Sequence, residues 1–208
     1  MEAFSDGVFA VAITILVFNI QTPKVAPGGL WHALGAEWPS YAAYVASFLT
    51  IGIMWINHHA VFERIARVDR TLLFINLFLL MGTVLVPYPT ALVGQFVLGG
   101  GADARAAATV YALLMTVNGA IWQLLWGYAL THPAVLIPQL DRTAAARAMP
   151  RFAIGAVLYL ASIPLAQVSP IAVVFLLAAA AIFYGFEHLP DIDAASPAED
   201  EPGSAPAT

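Results

Sequence analysis

Phe4-Ser5-Asp6-Gly7-Val8-Phe9-Ala10-Val11-Ala12-Ile13-Thr14-Ile15-Leu16-Val17-Phe18-Asn19-Ile20 puts a serine and an acid at the mouth of an apolar helix that carries no further charge until Lys24. Pro23 ends the run. It is slightly short of the roughly 20 residues that cross a bilayer. A run this apolar needs either a large core or lipid around it, and the remainder of the chain says which.

Of 208 residues, 61% are hydrophobic and 10% charged, against about 25% charged in an ordinary soluble domain. Mean hydropathy is +0.81. The composition is that of an all-α integral membrane protein with room for about six spans and no soluble domain. The first run lacks a basic leader and a small-residue cleavage site, so it is read as a permanent helix rather than a signal peptide. The net charge of −5 arises in the tail, where Asp191, Asp193, Glu199, Asp200 and Glu201 stand without a Lys or Arg. Residues 191–208, rich in Pro, Ala and Ser, are expected to form a disordered acidic tail behind a six-helix transmembrane domain at 1–190. Nothing in the charge pattern suggests nucleic acid. The chain has no cysteine, which removes disulfides, thiolate metal sites and cysteine nucleophiles.

Along the chain, the first span is expected at Phe4–Ile20, followed by a Pro/Gly loop with Trp31 and Trp38 at the membrane interface. The second is expected at Tyr41–Phe62. The third covers Leu72–Val86, closed by Pro87-Tyr88-Pro89, with an apolar continuation to Val93. The fourth is expected at Ala106–Leu130, the fifth at Phe152–Ala166 and the sixth at Ile171–Phe186. Arg64, Arg67 and Arg70 precede the third span, and Arg142, Arg147 and Arg151 precede the fifth. Only Lys24 and Arg105 fall in the alternate loops. The excess of positive charge then places both termini in the cytoplasm.

At 100° per residue, Phe4, Gly7, Val8, Val11, Thr14, Ile15 and Phe18 share one face of the first helix, while Asp6 faces another way. An acid inside a membrane segment is a functional candidate, yet near a helix start it also serves as a cap, and capping is the favoured reading from chemistry alone. In the second span, Trp55, His58 and His59 share a face. Adjacent histidines lack the i, i+4 spacing that converges two imidazoles on one ion, so no metal or haem site is assigned. A proton relay from Asp6 to His58 or His59 is one reading. An inter-helix hydrogen-bond network that recruits Asn76 of the third span is the preferred one. Asn118, Trp122, Gln123 and Trp126 suit helix packing, and no enzymatic motif is present.

These residues resemble the endolysosomal transmembrane potassium channels and their bacterial homologues. The resemblance rests on Phe4-Ser5-Asp6 through Thr14, Ser47-Phe48-Leu49, Trp55-Ile56-Asn57-His58-His59, Asn76-Leu77 and Pro87-Tyr88-Pro89-Thr90. It covers roughly the first half of the chain. It implies a homotetramer of six-helix subunits in the cell membrane, with helix 1 lining a central pore that narrows at hydrophobic residues. Val11, Ile15 and Phe18 then correspond to the constriction and Thr14 to a polar ring between them. Phe4, Ser5 and Asp6, with Trp55, His58 or His59, and Asn76, correspond to a network that braces helix 1. No cofactor is implied, and K+ is the conducted ion.

Two positions depart from the family pattern. An arginine four residues before the motif phenylalanine would precede Met1, so either the start is truncated or the network lacks its cation. A family acid near the end of helix 1 is Asn19 here, which leaves the outer mouth less negative. The expectation is a potassium-preferring cation channel with a hydrophobic gate and no enzymatic activity. The alternative is a proton-linked ion transporter using Asp6 and the histidines, although paired internal repeats and broken midplane helices, the usual signs of such a transporter, are absent from the sequence.

Overall fold

A computed structural model describes residues 1–138 and 140–186; the expected tail at 191–208 lies outside them. All regular secondary structure there is helical apart from isolated bridge residues, and the order is α1 Glu2–Ile15, a 3-10 turn Leu16–Asn19, α2 Leu30–Ala36, α3 Trp38–Glu63, α4 Arg70–Leu85, α5 Pro87–Phe96, α6 Gly101–Thr131, α7 Arg142–Val168 and α8 Pro170–Phe186.

Among the described residues, four segments are long and apolar enough to cross a membrane: Glu2–Asn19, Trp38–Glu63, Arg70–Gly99 and Gly101–Thr131. Shorter apolar stretches, Ile154–Val168 and Pro170–Ala180, follow in α7 and α8. Several boundaries differ from the sequence expectation. Helix α1 begins at Glu2 and tightens into the 3-10 turn at Leu16, so its last turn is not α-helical. Helix α3 begins at Trp38, with Pro39 in its first turn, where a missing N–H leaves no helical bond unmade.

The third span does not close at Pro87-Tyr88-Pro89. Val86 keeps right-handed helical angles, its N–H donates to the Thr83 carbonyl at 3.1 Å, and Pro87 and Pro89 occupy the first turn of α5. A proline that would break a helix interior is accommodated at a new helix start. The apolar segment therefore continues to Gly99, with a break at Val86. Helix α6 starts at Gly101 rather than Ala106; Gly100 and Gly101 at φ +67° and +68° supply the left-handed turn that reverses the chain.

Two buried clusters hold the bundle together. One joins Phe9 and Ala12 of α1 and Leu16 of the 3-10 turn to Ile51 and Met54 of α3, Leu80 of α4, and Tyr111 and Met115 of α6. The other gathers Val61, Phe62, Leu72, Leu79, Leu125, Trp126 and Leu136 where α3 and α6 end and α4 begins. Beside it the loops before α4 and after α6 are tied together. Ala66 and Arg67 donate to the Val135 carbonyl at 2.8 and 3.1 Å, Ile137 donates to Arg64 at 3.1 Å, and Ile65 bridges Leu136.

Candidate functional site: the two faces of helix 1

One face of α1 packs and the other does not. Ser5, Phe9, Ala12 and Leu16 are at most 1% exposed, whereas Phe4, Val11, Ile15 and Phe18 are 60, 52, 40 and 76% exposed in the single chain. Thr14 is exposed too, and its hydroxyl donates back to the Val11 carbonyl at 2.9 Å, so the hydrogen bond is spent on its own helix. The exposed set overlaps the projected face without coinciding with it: Val8 of that face packs against the buried cluster, and Val17, projected to the other side, is 49% exposed. The set forms an apolar stripe with a single hydroxyl level between Val11 and Ile15.

The packed face is held by polar contacts. The Trp55 indole N–H donates to Asp6 Oδ1 at 2.8 Å. Asn76 sits between two partners: its Nδ2 donates to Ser5 Oγ at 3.1 Å, and its Oδ1 lies 2.8 Å from His58 Nε2. With Asn76 Oδ1 as the acceptor, the His58 proton resides on Nε2. The His58 ring also stacks on Phe62 with centroids 4.2 Å apart and meets the Phe9 ring edgewise at 5.3 Å. Two helices, α3 and α4, thus grip the first two turns of α1 through Ser5 and Asp6.

Three sequence readings change here. Asp6 does not cap α1, because the helix starts a full turn earlier and the carboxylate goes to Trp55 instead of backbone N–H groups. His59 does not join the network: it is exposed, pairs with Glu63 one turn on at 3.3 Å, and stacks on Trp55 with centroids 6.2 Å apart. Phe4 lies outside the hydrogen-bonded set and lines an open apolar groove with Met1, Arg70, Leu73, Phe74 and Leu77. Asp6 and His58 bond to different partners, Trp55 and Asn76, so no direct relay connects them.

The sequence reading missed two further ties. Ser47 Oγ lies 2.7 Å from Thr90 Oγ1 and 3.0 Å from the Tyr111 hydroxyl, a buried cluster joining α3, α5 and α6. Ser47 and Thr90 sit inside motif stretches already singled out, but nothing in the sequence pointed to Tyr111. At the far end of helix 1, Asn19 Nδ2 donates to the Pro87 carbonyl at 2.7 Å. Among the described residues no group of three His, Cys, Asp or Glu side chains gathers as a metal site would require.

Outside the apolar segments, Asp69 caps α4. It accepts from the Leu72 N–H at 2.8 Å and from the Tyr128 hydroxyl at 2.6 Å. Those donors, the Leu72 N–H first, hold its carboxyl below the usual aspartate range.

Residues 1–87, which contain the exposed stripe, the Asp6–Trp55 bond and the Asn76 hub, match the family model for the endosomal/lysosomal potassium channel TMEM175. A potassium channel of Streptomyces collinus is 48% identical over 91% of this chain and 92% of its own length. A second, from Chamaesiphon minutus, is 39% identical over 81% of this chain and 84% of its own. The mouse endosomal/lysosomal proton channel TMEM175 is 37% identical over 37% of this chain and 17% of its own length. In three dimensions, the crystal structure of a lysosomal potassium-selective channel TMEM175 homolog from Chamaesiphon minutus superposes with a TM-score of 0.80. It covers 88% of this chain and 94% of that one at 37% identity. Sequence match along nearly the full length and the shared fold lead to one conclusion: the chain belongs to the TMEM175 family of ion channels.

Proposed function

We propose that this chain forms a homotetrameric, potassium-preferring cation channel whose pore is lined by α1. The observation that carries the proposal is the two-faced α1: one side is fixed to α3 and α4 by hydrogen bonds, and the other leaves Val11, Ile15 and Phe18 uncovered. Uncovered apolar residues at helical spacing in a membrane bundle need lipid, another copy or a pore. The family supplies the last of these, and relatives similar over nearly the whole chain are named potassium channels. With one Phe4-Ser5-Asp6 motif per chain, four copies complete the ring that the resemblance implies.

In this reading six spans, including α7 and α8, place both termini in the cytoplasm of a cell-membrane protein, and the side chains of Val11, Ile15 and Phe18 form the constriction. They offer a cation no ligand to replace its water, so the neck gates by dewetting or passes a partly hydrated ion. The Thr14 hydroxyl level is the one polar step on the path. Ser5, Asp6, Trp55, His58 and Asn76 hold the wall in place and do not contact the ion.

The test is planar-bilayer recording of purified protein with potassium on one side and sodium on the other. Unitary current steps with a reversal potential displaced toward potassium are expected. Saturable, proton-gradient-driven flux without unitary steps would instead favour the transporter alternative through Asp6 and the histidines.

A further inference from the structure

The outer end of helix 1 is built differently from the rest of it. After Ile15 the helix narrows into the 3-10 turn Leu16–Asn19, which carries Phe18, 76% exposed, on one side and Leu16, fully buried, on the other. A 3-10 turn has poorer hydrogen-bond geometry than an α-helix and is seldom stable by itself. At its end Asn19 reaches across and donates to the Pro87 carbonyl at 2.7 Å, immediately after the break at Val86. Pro87 is in turn held firmly. Within the same first turn of α5, Thr90 bonds to Ser47 of α3, which bonds to Tyr111 of α6.

We propose that the Asn19–Pro87 hydrogen bond is a latch that fixes the 3-10 tip of helix 1 and so positions Phe18 on the ion path. The second half of this statement rests on the pore reading above; the first half does not. The latch also accounts for an amide at this position. Asn19 acts as a donor toward a carbonyl, a role that an ionised carboxylate cannot fill, since it has only acceptor atoms. Asparagine therefore trades negative charge near the mouth for a directional tie.

The chain's lack of cysteine makes the test clean. Leu16→Cys places a thiol on the buried side of the tip, and its modification by a charged, membrane-impermeant thiol reagent reports unlatching in reconstituted full-length protein. Adding Asn19→Leu is expected to speed modification about fivefold, the equivalent of losing one part-buried hydrogen bond. Adding Asn19→Asp is expected to do the same at neutral pH and to return toward the parent rate below about pH 4, where the protonated carboxyl regains a donor. Rates are taken relative to Leu16→Cys alone at the same pH, in preparations with the parent's oligomeric state. Equal rates in all three proteins would overturn the latch. Faster modification with potassium currents like the parent's would uphold the latch and overturn the placement of Phe18 on the ion path. Faster modification with altered unitary current supports both halves.

Discussion

Replacing Asn76 with leucine tests the hub that fixes helix 1. The two side chains are similar in size and Asn76 is 2% exposed, so the substitution keeps the packing while deleting both the bond to Ser5 and the bond to His58. It leaves a ring nitrogen and a hydroxyl buried without their partner. Stranded groups of this kind cost about 1–3 kcal/mol each in protein interiors. Hydrogen bonds between membrane helices average nearer 0.6 kcal/mol, because the unfolded chain in the membrane finds other partners. Weighing the two, Asn76→Leu is expected to cost about 2–3 kcal/mol and Ser5→Ala about 1 kcal/mol.

The double variant separates a network from two independent packing defects. Once Asn76 is gone, Ser5→Ala removes a hydroxyl that no longer has its amide donor, so its cost falls below half of its value alone. The assay is reversible unfolding in mixed micelles followed by tryptophan fluorescence, with all four proteins of the cycle measured together. If the single costs add to within about 0.5 kcal/mol, the hub is not a coupled unit and the bracing argument fails.

In the proposed pore, Ile15→Asn places an amide at the apolar constriction and is expected to raise unitary potassium conductance severalfold by wetting it; unchanged single-channel currents from an intact oligomer would count against Ile15 on the ion path. At the loop end, Asp69 gives a pH signature. Its carboxyl is held below the ordinary range by the Leu72 N–H and the Tyr128 hydroxyl, so its contribution is fully present above the unfolded aspartate value and is lost as pH falls through the depressed folded value. Melting temperature measured from neutrality into acid is expected to show that loss in the parent, whereas Asp69→Asn starts lower and lacks the step.

The sequence made helix 1 the most legible element, because a lone acid in an apolar run and a 100° projection separate Val11, Thr14, Ile15 and Phe18 from Asp6, although Val8 packs inward and Val17 stays exposed against the projection. Ser5, Asp6, Trp55, His58 and Asn76 were legible as a set for a related reason: polar side chains in adjoining membrane helices have few partners besides one another. The pairing was harder to foresee. Which of His58 and His59 turns inward depends on the rotation of α3, set by Ile51, Met54 and Phe62 against α1 and α4, and adjacent residues differ by only 100°. Pro87 and Pro89 misled by position. A proline pair reads as a stop, yet it also suits the first turn of a new helix, and only the backbone at Val86 distinguishes the two. Asn19 and Tyr111 reach partners 68 and 64 residues away in sequence, distances at which local pattern carries no information.

Helix 1 is therefore a rod pinned at both ends. Ser5 and Asp6 hold one end and Asn19 the other, while among the described residues Val11 to Ile15 contact the rest of the bundle through no directional bond, only through the dispersion contacts of Ala12 and its neighbours. A beam supported in this way deflects most at midspan and least at its supports. In the proposed tetramer, a lateral force on helix 1, from lipid tension or from a neighbouring copy, would change the radius most at the level of Val11 and Ile15, with little movement of either anchor.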